Sequence, residues 1–224
     1  MRVSTLVLGF GCALVTAGIA QERFDSVVRN DFFAGFSGDK EALARAMKTC
    51  EDALEKNPND AQAMVWHGSG LFFRSGEAVH EGDIEKGLDL YQRGLKEMQS
   101  AVTIAPDDVT VRAARGAILL TGSQQVPSSM ARPLIEDGLA DYEHTLELQT
   151  GYWPRLGTHP RGELLFGLAE GYSRIGNQAK ATLYFERIAK ELPGTPYAKR
   201  AATWLETKSL PASQTGCIGC HTGK

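Results

Sequence analysis

The sequence predicts an all-α fold: a solenoid of about four helical hairpins closed by a capping helix. Two observations carry this. Apolar residues recur at helical spacing almost throughout, and long alternating runs of the kind that make half-buried strands are missing. A pattern of small residue, bulky residue and proline also recurs at fixed spacing.

The clearest helix is KEALARAMKTCEDALEK, Lys40 to Lys56, amphipathic along its length. It stops at Asn57-Pro58-Asn59-Asp60, because a residue before proline is pushed out of the helical region. Ala46 stands twelve positions before Pro58, Gly94 twelve before Pro106, and Ala181 twelve before Pro193. Four positions after each small residue comes a larger one, Cys50, Met98 or Phe185. A degenerate copy has Gly138 and Tyr142, with Thr150 in the proline's place. Ahead of each helix lies another, centred on Ala34, Gly68, Gly116 or Ala169. Small residues let paired backbones approach, and the large residue one turn on fills the space beside them.

These residues resemble the tetratricopeptide repeat (TPR) pattern W-x2-L-G-x2-Y, A-x3-F, P. The best copy is Leu168, Ala169 and Tyr172, then Ala181, Phe185 and Pro193, with Gly176-Asn177 at the turn. The second copy keeps Gly68, has Leu71 in the tyrosine slot and places His67 in the leucine slot. The likeness covers roughly residues 27–207 and implies a TPR-like solenoid whose concave side docks protein partners. Ala-rich Thr195 to Glu206, with Trp204-Leu205, reads as the capping helix.

The spacing within hairpins is uneven. The two small residues are 12 apart in the first (Ala34, Ala46) and fourth (Ala169, Ala181), but 26 apart in the second (Gly68, Gly94) and 22 in the third (Gly116, Gly138). The sequence therefore predicts insertions near Arg74–Lys86 and Thr121–Ala131, read as long loops, and a further addition, GYWPRLGTHP, from Gly151 to Pro160.

The N-terminus has Arg2, an apolar run from Leu6 to Val15, and Ala17, Gly18 and Ala20 ahead of polar Gln21. This is the layout of a secretory signal peptide cleaved after Ala20. The run is short of the about 20 apolar residues of a spanning helix. Cys12 lies inside it, with Gly9 where a lipoprotein signal carries an aliphatic residue. The mature chain, 21–224, loses only Arg2 among charged residues, so its net charge moves from −3 to −4. Lys and Arg are scattered, which gives no footprint for nucleic acid. The expected division is signal peptide 1–20, helical repeat domain 21–208, and a linker and tail 209–224.

That tail contains Cys217-Ile218-Gly219-Cys220-His221. Two thiols three positions apart suit thioether bonds to the two vinyl groups of a haem, and the adjacent histidine suits one face of the iron. The motif resembles that of c-type cytochromes, which implies one covalent haem c held by Cys217 and Cys220, with His221 as proximal iron ligand. Export fits such attachment. A Cys217–Cys220 disulfide, a zinc site short of a fourth ligand, and an unmodified tail are the other readings. Cys50 reads as a core residue. Three residues follow His221, so any distal ligand must come from elsewhere. The candidates are His80, Met130, His159 and His144, while His67 reads as packed core. The eight residues from Ser209 to Gly216 reach about 26 Å when extended, enough to fold back onto the body. The expected function is electron transfer or redox-linked docking of a protein partner in the bacterial periplasm. A non-haem interaction scaffold of the cell envelope is the alternative. No nucleophile–base pair, paired carboxylates or phosphate loop marks an enzyme, and a peroxidase-like haem is a minor reading.

Overall fold

The computed structural model describes residues 23–209. Within them all regular structure is helical: α1 Phe24–Phe36, α2 Lys40–Lys56, α3 Ala61–His80, α4 Ile84–Ile104, α5 Val109–Gly122, α6 Ser128–Gln149, α7 Thr158–Arg174, α8 Gln178–Glu191 and α9 Pro196–Thr207, with a single 3-10 turn at Trp153–Arg155. The signal segment and the Cys217–His221 motif lie outside the described residues.

Local chemistry sets the helix limits. Asp39, Asp60, Asp83, Asp108, Asn177 and Thr195 each accept a hydrogen bond from a main-chain N–H in the first turn of the following helix. Such caps are worth about 1 kcal/mol each. Three hairpins, α1–α2, α3–α4 and α7–α8, turn on a glycine with positive φ directly before the cap: Gly38 at 110°, Gly82 at 91° and Gly176 at 82°. In each, the cap's N–H reaches back to the preceding helix, Asp39 to Ala34, Asp83 to Ala78 and Asn177 to Tyr172. The α5–α6 connection lacks this device and runs through Ser123–Pro127 instead.

Consecutive helices pair as α1·α2, α3·α4, α5·α6 and α7·α8, and α9 packs on α8. The small residues predicted to permit close approach do so. A Cβ on Gly68 would lie 2.8 Å from the carbonyl oxygen of Gly94, and one on Gly94 would lie 2.7 Å from that of Gly68. Gly116 and Gly138 stand in the same relation at 3.2 Å each way. In the first hairpin the close contact falls on Gly35 against Leu43, beside the expected Ala34.

The expectation of long inserted loops is corrected. In the second hairpin the extra residues are helical: α3 runs on to His80 and α4 begins at Ile84, so only Glu81-Gly82-Asp83 lies between them. The apolar spacing continues through this stretch, with Gly87 packed on Val79, and hydrogen-bonded helix costs less than an unpaired loop. The tip exposes Val79, Ile84 and Leu88. In the third hairpin the additions form residues 123–127 and the opening turns of α6. The 151–160 segment is pinned by Trp153, 9% exposed, whose indole N–H donates to Glu191 at 2.8 Å.

The interior divides into two apolar clusters. One gathers Phe32, Met47, Cys50, Trp66, Met98 and Val111 from α1 to α5. The other gathers Tyr142, Leu165, Phe185, Ile188 and Trp204 from α6 to α9. Trp204 stacks on Phe185 with ring centroids 4.4 Å apart, so α9 packs along α8.

Candidate functional site

Cys217, Cys220 and His221 fall outside the described residues. The position where the body hands over to the tail is well fixed. Tyr197, at the start of α9, donates its hydroxyl proton to Glu163 at 2.5 Å, near the start of α7. Trp204, near the end of α9, donates its indole N–H to Ser173 at 3.0 Å, near the end of α7. The two helices thus run side by side in the same direction, and Ser209 leaves the fold at the Arg174 end of α7.

That polarity sorts the four candidate distal ligands. His159 lies in the first turn of α7, and its Nδ1–H donates to the Tyr197 hydroxyl at 3.0 Å, at the end of α9 away from Ser209. His144 meets carboxylates at both ring nitrogens, Asp107 at 2.8 Å and Glu147 at 3.2 Å, also towards that far end. His80 and Met130 lie at the nearer end. His80 is the exposed last residue of α3. Met130 is half-buried in the first turn of α6, on the side of the helix that carries Leu134 into the α1–α5 core. The structure does not bring these four together. Among the described residues, no group of three or more His, Cys, Asp or Glu side chains could hold a metal ion.

His67 is packed, as expected, with its side chain 12% exposed. Its Nδ1–H donates to Glu97 on α4 at 2.6 Å, and Nε2 lies 3.8 Å from Glu51 on α2. It ties three helices together. Cys50 is fully buried, and burial pushes its thiol pKa up.

At the Arg174 end of α7 lies a concavity that the sequence reading missed. An open cleft of about 650 Å³ runs between the α5–α6 connection and the end of α7. Val126, Ala131, Ile135 and Ile175 give it apolar walls, and Arg132 and Arg174 stand at its edge. Arg174 is held in place: its Nη1 donates to the Leu120 carbonyl at 3.1 Å and to the Ser123 hydroxyl at 2.8 Å, satisfying a carbonyl at the end of α5. Glu170, one turn earlier and 6% exposed, lies 3.7 Å from the Arg174 guanidinium. Burial drives its carboxyl above the ordinary range, against the pull of Arg174. A smaller, adjoining cleft continues past Glu170 along Phe166 and Glu163 on α7 and Ala117 and Thr121 on α5. The i,i+4 spacing of Glu170 and Arg174 is visible in sequence, but the bond from Arg174 to Leu120 spans 54 positions and leaves no local signal.

A second polar cluster joins α6, α7 and α8. Lys180 donates to Glu143 and to the Tyr172 hydroxyl, both at 2.7 Å. The carboxylate and the phenol raise the Lys180 pKa. Burial alone would push Glu143 up, but the hydrogen bonds from Lys180 and Tyr172 outweigh it and hold the carboxyl below its usual range. Tyr184, stacked on Tyr172, is pushed up to about 12 by burial and by the Glu143 charge. With the lysine charged and the phenols protonated, this cluster is a clasp between hairpins rather than an acid–base pair.

The 650 Å³ cleft mixes apolar side chains with the hydroxyls of Ser123 and Ser128, the Gln124 amide, the Glu170 carboxyl and two guanidinium groups. No helix among the described residues is long and apolar enough to cross a membrane. No protein-family model matches this chain, and no curated protein matches it significantly.

Proposed function

We propose that this chain is an exported TPR-like hairpin solenoid carrying one covalent c-type haem, acting in electron transfer or as a redox-linked docking scaffold in the bacterial periplasm. The observation that carries this reading is the motif Cys217-Ile218-Gly219-Cys220-His221 on a chain that opens with a signal-like leader. Cys217 and Cys220 would hold the haem through thioethers, and His221 would serve as the proximal iron ligand. When bound, the group supplies a one-electron couple.

The helical body supports the docking half of this reading. Its hairpins pair through small residues, Gly68 with Gly94 and Gly116 with Gly138, as TPR-like units do. The clefts beside α7 present apolar, acidic and basic side chains together, the mixture found at protein interfaces. The partner on this reading is a protein, such as another redox carrier, and not nucleic acid. The role is that of carrier or scaffold rather than enzyme.

The test is the intact mass of the protein from its native host, with a visible spectrum of the same sample. Cleavage after Ala20 and one added haem, with the absorbance bands of a covalent ferrous haem, are expected. A mature chain without the added mass removes the haem reading. The alternative, a non-haem interaction scaffold of the cell envelope, then stands, and it requires partner binding to survive Cys217→Ser with Cys220→Ser.

A further inference from the structure

We infer that the projecting tip of the α3–α4 hairpin is a docking surface for a positively charged amphipathic helix of another protein, received on Val79, Ile84 and Leu88. The inference is independent of the haem reading and uses none of the residues that line the clefts beside α7.

The first support is a face that outruns its cover. Phe72 on α3 packs against Tyr91 on α4, with ring centroids 5.5 Å apart. It also packs against the end of α5, where Gly122 leaves no room for a Cβ beside the Phe72 ring. There α5 stops, while α3 continues to His80 and returns as α4 from Ile84. Val79 lies seven positions beyond Phe72, on the same face of α3. Leu88 and Ile84 lie three and seven positions before Tyr91, on the same face of α4. The face that is covered at Phe72 is therefore bare two turns further out: Val79 is 46% exposed, Ile84 54% and Leu88 49%. Gly87 seats directly on Val79, which holds the two helices close and sets the three aliphatic side chains along one seam. A third helix laid on that seam takes the place that α5 takes at Phe72, and burial of the aliphatics drives it there.

The second support is charge. Residues 77–89 hold five carboxylates, Glu77, Glu81, Asp83, Glu85 and Asp89, against one lysine, Lys86, so this stretch is more negative than the whole chain at −3. Glu85 and Asp89 each follow an aliphatic residue by one position and so border the seam on its outer side. Two exposed pairs offset the charge in part, Lys40 to Glu81 at 3.7 Å and Arg93 to Asp89 at 3.4 Å, and such pairs contribute little. Among the described residues Glu77 and Glu85 form no ion pair. An apolar seam with an acidic border is complementary to a helix with aliphatic residues on one face and Lys or Arg beside them. The same charge disfavours the other occupants. A second copy would bring acidic tip against acidic tip, and an anionic lipid surface would repel it.

The experiment titrates the full chain into a labelled helical peptide of leucine and lysine, with the leucines on one face, and reads fluorescence anisotropy. A matched peptide carries glutamate for lysine. Docking predicts saturable one-to-one binding of the lysine peptide and none of the glutamate peptide. Ile84→Ser with Leu88→Ser is expected to weaken binding about tenfold, through loss of two aliphatic anchors. Glu85→Lys with Asp89→Lys is expected to weaken it about tenfold at low salt and less at high salt. All four positions are exposed, and an unchanged far-ultraviolet circular dichroism spectrum checks that each variant keeps the fold. No saturable binding, equal binding of the two peptides, or equal affinity in all three proteins overturns the inference. Self-association in sedimentation that Ile84→Ser with Leu88→Ser abolishes also overturns it, by placing a second copy on the seam. Co-sedimentation with phosphatidylglycerol vesicles, lost in the same variant, overturns it in favour of a lipid surface.

Discussion

Arg115 on α5 and Asp141 on α6 form a bidentate ion pair, Nε to Oδ2 at 2.5 Å and Nη2 to Oδ1 at 3.0 Å, with the carboxylate wholly shielded from water. Arg112 adds a further bond to the same carboxylate at 2.8 Å, and Gln99 on α4 receives the other arm of Arg115. The third hairpin is thus locked internally and tied to the second by one buried polar network.

Removing one member of such a pair leaves a buried charge without its partner. Asp141→Ala is expected to lower stability by about 3–5 kcal/mol, read from urea denaturation. The double replacement Arg115→Met with Asp141→Leu is expected to recover most of that loss. A single variant as stable as the unaltered chain would contradict the network's role.

Two glycines of α3 should respond in opposite directions to the same change. Gly68→Ala drives a methyl against the Gly94 carbonyl, a main-chain atom with no room to move, and should cost about 1–3 kcal/mol. Gly76→Ala meets nothing within 4 Å in a helix interior and should gain about 0.5–1 kcal/mol. Thermal melts of both variants test this contrast.

Glu170 has a pH signature. Its folded pKa lies above its unfolded value, because burial outweighs Arg174. Such a group supports the fold fully below the unfolded pKa and loses that support as pH rises through the folded one. Glu170→Gln imitates the neutral form, so it should raise Tm by a few degrees at about pH 7, and that gain should vanish near about pH 4. A gain that instead grew on acidification would have the sign wrong.

Cys50 should be inert in the native protein. It is fully buried, and burial holds the thiol in its protonated form. Alkylation at Cys50, followed by peptide mapping, should proceed only at the rate of global unfolding and accelerate together with it in urea.

Much of this fold was readable beforehand because its determinants are local. Lys40–Lys56 is bounded in sequence by Asp39 and by Asn57-Pro58, and the helix has those limits. Gly176-Asn177 announces its turn in the same way. The 74–86 stretch was misread as a loop because repeat spacing reports where two helices touch and says nothing of how far they continue. The cleft was invisible because it depends on Arg174 meeting Leu120 and Ser123 across more than fifty positions. The reading of Cys217-Ile218-Gly219-Cys220-His221 as a haem-attachment motif rests on those five consecutive residues alone, which lie outside the described residues.

The division of the interior into two apolar clusters has a consequence for cooperativity. The border runs between neighbours in sequence: Leu119 and Leu134 belong to the α1–α5 cluster, while Leu120 and Ile135 belong to the α6–α9 cluster. The third hairpin is therefore the coupler through which one half senses the loss of the other, with Arg174 clamping Leu120 from the far side. Weakening that coupler turns a single melting event into two. A load applied where Ser209 leaves the body would then be carried by the α6–α9 half alone.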